Sequence, residues 1–151
     1  MGLIRSRRGL SELIGLLLAL PLIITAIGAT VYFGRALYLQ AALEDVAAVG
    51  ARWASTSLSG QQGCAQALEA MRRTLRGYYI EPSGARISVS AEEVWGRGLY
   101  ARVRVSYRLD QRAVPVFGGL LGPITVRAGY STPIDTYNAR HSEGGWSQCS
   151  G

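Results

Sequence analysis

The chain has 151 residues and a net charge of +6, and every one of its 16 basic residues is Arg, set against 10 acidic residues and one His. Without Lys it has neither a Schiff-base nucleophile nor the Lys of a phosphate-binding loop. Its two cysteines and lone histidine lack the spacing of a zinc site.

Residues 1–9 form a short basic leader with Arg5, Arg7 and Arg8. Leu13 to Gly34 then runs for 22 residues without a charge. At about 1.5 Å per residue a helix of that length reaches about 33 Å, enough for a hydrocarbon core of about 30 Å. Pro21 lies inside the run; in lipid such a Pro is tolerated because neighbouring groups re-satisfy the freed carbonyl. The apolar core exceeds that of a secretory signal and offers no good cut site, which favours a retained anchor. Basic residues flanking a span mark its cytoplasmic side, so the N-terminus is expected inside and everything after Gly34 outside. Tyr32, Phe33 and Tyr38 cluster where aromatic rings prefer the outer interface. Glu12 is expensive in lipid; either it has a partner or it sits at headgroup level.

Beyond Gly34 the composition stays rich in Ala and Leu, and the helix is expected to continue to about residue 59. Leu39, Leu43, Val46, Gly50 and Trp53 recur at helical spacing and make one apolar stripe. Gly50 and the nearby Ala residues permit close approach of a neighbour. Residues 61–76 predict a second helix with Cys64, Leu68, Met71 and Leu75 on one face, stopped near Gly77. Residues 81–84 read as a turn.

The period then changes to two. Ile87, Val89 and Ala91 predict one strand, Leu99 to Leu109 a second and Ile124 to Tyr130 a third, each with one dry and one wet face. The Arg residues are interleaved with Ser and Tyr on these strands, which suits solvated faces better than a nucleic-acid surface. Residues 113–123, AVPVFGGLLGP, form an apolar, Gly- and Pro-broken loop, either a contact surface or a cover for the sheet edge. The tail from Thr132 is polar and expected to be extended unless Cys149 anchors it. Outside the cytoplasm Cys64 and Cys149 can form a bridge, the alternative being two buried thiols. His141 lies in the polar tail without acids or cysteines nearby, and Glu92 and Glu93 alternate across a strand. Neither implies catalysis; no enzymatic activity, cofactor or metal is expected.

Arg7-Arg8-Gly9, followed by a Glu and an apolar span, resembles the class III signal of type IV pilin-like proteins. Pro21 followed by FGRALYLQAALEDVAAVGARWAS is similar to the TadE-like family, whose members belong to tight-adherence pilus systems. Phe33-Gly34-Arg35, Ala41-Ala42-Leu43 and Gly50-Ala51-Arg52 carry that likeness, and residues 115–128 resemble the late part of longer members. The resemblance implies cleavage between Gly9 and Leu10 by a prepilin peptidase. It also implies a role for Glu12 in pairing with a neighbouring subunit. Cleavage there leaves Glu12 third in the processed chain, where the family usually carries Glu fifth.

The expected architecture is α+β. A basic leader (1–9) precedes a long transmembrane helix (10–59, span 13–34). An extracytoplasmic head (60–131) with a short helix and a roughly three-stranded antiparallel sheet follows, then a polar tail (132–151). The implied function is a minor pilin or pseudopilin at the cytoplasmic membrane and in a surface filament. Its partners are the membrane, a prepilin peptidase, other pilin-like subunits and the assembly machinery, with no nucleic acid. The alternative is a membrane-anchored extracytoplasmic binding module that does not polymerise.

Overall fold

The computed structural model describes residues 4–57, 59–91, 98–109, 123–134 and 148–151, with side chains from Ile14 onward. The chain opens with one helix of 52 residues, α1 (Ile4–Ser55), and a second, α2 (Gly60–Gly77), of 18. A single 3-10 turn (Pro82–Gly84) leads into four strands, β1 (Ala85–Ala91), β2 (Tyr100–Leu109), β3 (Ile124–Pro133) and β4 (Gln148–Ser150).

Thr25 and Thr30 donate side-chain hydrogen bonds of 2.7 and 2.9 Å to the Pro21 and Ala26 carbonyls four residues back. α1 therefore passes Pro21 unbroken, with local hydroxyls bonded to its backbone. It stops at Ser55 rather than near residue 59, and the reason is local. The hydroxyls of Ser55, Thr56 and Ser57 lie 2.7 to 3.1 Å from the carbonyls of Arg52 and Trp53, competing with further helical bonds. Ser59, in extended conformation, then caps α2 by accepting from the Gln62 N–H. The facing pairs Ser57–Gln66, Gly50–Met71 and Asp45–Tyr78 fix α2 antiparallel to α1.

The sheet is antiparallel throughout, in the order β3-β2-β1-β4. Its register sets Val89 beside Val103 and Val103 beside Tyr130. On the inner face Ala85, Ile87, Val89 and Ala91 join Ala101, Val103 and Val105, all buried against the helices. From α1 the core takes Leu39, Ala42, Leu43, Val46, Ala47, Ala51 and Ala54, and from α2 Ala67, Met71 and Leu75. The stripe thus ends on Ala54, with Trp53 half exposed, because a helix of 3.6 residues per turn drifts off a strict three-and-four count.

Two details go beyond what the local sequence indicates. Gly50 is taken up within the chain: a Cβ there would stand 2.6 Å from Met71 Cγ, so its missing side chain is what lets α2 close on α1. The sheet has four strands, not three, since the tail returns Gln148–Ser150 to pair with Ser88–Ser90. The 113–122 loop, Glu92, Glu93 and His141 lie outside the described residues.

Candidate functional site

The candidate site is the surface of α1 below the head. Twelve large apolar side chains between Ile14 and Leu37 are 47–71 % exposed, among them Leu16, Leu17 and Leu18 in succession. Successive helical residues point about 100° apart, so the apolar surface runs around the whole helix. A helix apolar on every side is built for lipid or for the middle of a bundle. By length and composition α1 can cross a membrane, and none of its most apolar window is buried within the chain.

The change to a one-sided helix comes at Tyr38 and Leu39. Tyr38 is 55 % exposed and Leu39 is 5 % exposed. Aromatic contacts mark this level. The Tyr32 and Phe33 rings meet edge to face at 5.4 Å, and Tyr38 meets Tyr78, just past the end of α2, at 6.2 Å. The Tyr78 hydroxyl donates to Asp45 Oδ2 at 2.9 Å, and that carboxylate raises the Tyr78 pKa, first through the hydrogen bond and then through its charge. Tyr79 follows with a positive φ of 57°, turning the chain back toward the 3-10 turn and β1. This aromatic cluster ties the end of α2 to α1 at the base of the head.

Of the residues singled out from sequence, Gly9, Leu10 and Glu12 all fall inside the continuous α1 backbone. Gly28 and Ala29 lie on the exposed half of α1, in its small-residue stretch. Cys64 of α2 and Cys149 of β4 are joined in a disulfide, with Cα atoms 6.4 Å apart across 85 residues of sequence. Sequence reasoning missed the Tyr78–Asp45 link, whose partners stand 33 residues apart with no local signal. Among the described residues, no group of three or more His, Cys, Asp or Glu is placed to hold a metal ion.

Comparison with known proteins returns no match for this chain among family models, curated proteins or solved structures.

Proposed function

We propose that the chain is a pilin-like subunit, a minor pilin or pseudopilin, that supports assembly of a tight-adherence-type surface pilus. The observation that carries this reading is the division of α1 into a half that is apolar all round and a half built into a small α+β head. The likeness of residues 7–9 to the class III signal of type IV pilin-like proteins, and of residues 33–52 to TadE-like proteins, supports it.

In this reading the exposed half stores the subunit in the cytoplasmic membrane, N-terminus inside and head outside, as Arg5, Arg7 and Arg8 favour. A prepilin peptidase cuts between Gly9 and Leu10 and removes those charges, which would be costly in lipid or in a dry bundle. Extraction into a filament then exchanges lipid contacts for packing between helices, and Gly28 and Ala29 allow close approach. Glu12 supplies a polar contact to a neighbouring subunit. The protein performs no catalysis and needs no cofactor or nucleic acid.

A second reading, a membrane-anchored binding module that never polymerises, draws on the Arg-lined outer face of the sheet. N-terminal sequencing of the protein from membranes and from sheared surface material separates the two. The pilin-like reading predicts Leu10 as the first residue in both fractions, and a bulky replacement of Gly9 that leaves full-length, membrane-bound protein without pili. Retention of residues 5–9 in cells making functional pili overturns it in favour of the anchored module.

A further inference from the structure

The face of the sheet turned away from the helices carries Arg86, Arg102, Arg104, Arg108 and Arg127. The register gathers three of them. Arg86, Ser106 and Arg127 form one row across three strands, and Ser88, Arg104 and Gly129 form the next. With strands about 4.8 Å apart, Arg86 and Arg127 stand about 10 Å from each other with the Ser106 hydroxyl between them. The floor of this shallow trough is small: Ser88, Ser106, Gly129 and Ser150.

Wet faces of antiparallel sheets gain when opposite charges face each other across strands, and like charges so placed destabilise. On this face each Arg stands opposite Ser, Thr or Gly, with no acid across from it. No Asp or Glu occurs in any of the four strands. Among the described residues the one ion pair, Arg73–Glu69, lies on α2, and Arg86, Arg104 and Arg127 have no acidic partner. Clustered guanidinium groups above a hydroxyl-lined floor are an arrangement for an anion supplied from outside.

We propose that the outer sheet face binds an acidic polysaccharide through its carboxylates. The planar Arg fork matches a carboxylate with two parallel hydrogen bonds, while Ser88, Ser106 and Ser150 offer hydroxyl partners to the sugar. Spacings of about 5 to 10 Å between rows and strands suit a chain bearing its charges at regular intervals. Other occupants fit less well. Single-stranded nucleic acid is held on aromatic stacking platforms, and the trough contains none. A lipid surface would lie across the axis of α1, whereas this face looks sideways, on the far side of the sheet from that helix. A second copy of the chain has no clustered acidic patch to offer in the described head: Asp45 accepts from Tyr78, Glu44 from Gln40, Glu69 from Arg73 and Glu81 from Ser83. The inference concerns the head alone and holds whether or not the subunit enters a filament.

The test uses the full-length protein in detergent, immobilised and titrated with polygalacturonate, neutral dextran, single-stranded DNA and vesicles containing anionic lipid. Polygalacturonate is expected to bind saturably, and more weakly as salt rises from about 50 to about 200 mM. The triple variant Arg86→Gln, Arg104→Gln, Arg127→Gln should lose about tenfold or more in affinity. A control triple on the helices, Arg52→Gln, Arg73→Gln, Arg76→Gln, removes the same charge and should stay within about twofold. Gly129→Leu keeps the charge but fills the trough, and should weaken binding about as much as the sheet triple; its backbone is ordinary strand, so the side chain is accommodated. If the sheet triple fails to fold, Gly129→Leu and single Arg127→Gln decide. Equal losses in the two triples, equal or tighter binding of DNA or vesicles, or no binding of polygalacturonate overturns the proposal.

Discussion

Residues 14–38 and 39–55 of α1 belong to one unbroken helix and draw on much the same apolar residues. In the first half, Leu and Ile point in every direction and stay exposed; in the second, a single stripe is buried and the opposite side carries Glu44, Asp45 and Arg52. Helix propensity is similar in the two, so it does not set the difference. What changes is the angular distribution of the side chains, and with it the solvent each half is built for. The two halves share one continuous helix, with no break between the all-round apolar surface and the head.

Core substitutions should separate the halves most sharply. Leu43→Ala, at a fully buried position, is expected to cost the head about 2–5 kcal/mol in denaturant unfolding. Leu17→Ala, on the exposed half, should change that stability by less than about 0.5 kcal/mol. A charge reverses the sensitivity. Leu20→Arg should cost about 2.5–3.5 kcal/mol in membrane insertion, read as the integrated fraction, and leave an already folded head unchanged. Breaking the bridge with Cys64→Ser or Cys149→Ser should cost the head about 2–4 kcal/mol in thermal unfolding, without loss of membrane retention.

A milder effect is expected at Gly50→Leu, which forces a side chain against Met71 and should destabilise the head by about 1–3 kcal/mol. Gly34→Leu, where a Cβ meets nothing, should not. The smallest effect belongs to Tyr78→Phe. The raised Tyr78 pKa means that its contribution is fully present below the ordinary tyrosine pKa of about 10 and is lost as pH rises through the higher folded value. The variant should therefore lose no stability over that alkaline window, where wild type does, while being slightly less stable than wild type at neutral pH; equal alkaline losses in both proteins would contradict the Asp45 link.

Much of the fold is legible in the residues themselves. The uncharged run, the helical stripe from Leu39 and the alternation in β2 each follow from local periodicity. The rest depends on partners distant in sequence. β4 is three polar residues with no strand signal of its own; pairing with Ser88–Ser90 and the link from Cys149 to Cys64 hold it. Gly50 reads as a place of close approach, but nothing local says that Met71, 21 residues on, is what approaches. Likewise each strand displays a wet face, yet only the register shows Arg86, Arg104 and Arg127 around one floor. Of the candidate site, the apolar span is plain from composition, whereas the level at which the helix that is apolar all round becomes head is not. That level is set by the fit of α2 and Tyr78 against α1.

The most direct test places spin labels one at a time along α1 of the protein in bilayers. Accessibility to oxygen and to a water-soluble paramagnetic reagent is then read at each site. Labels from Ile14 to Gly34 should meet oxygen and not the aqueous reagent, with no helical period. From Leu39 onward, positions 39, 43, 46 and 50 should be protected from both, while 44, 45 and 52 meet the aqueous reagent. Helical periodicity in protection before Gly34, or aqueous access all round that segment, would contradict the division of α1 into a lipid-facing half and a head-building half.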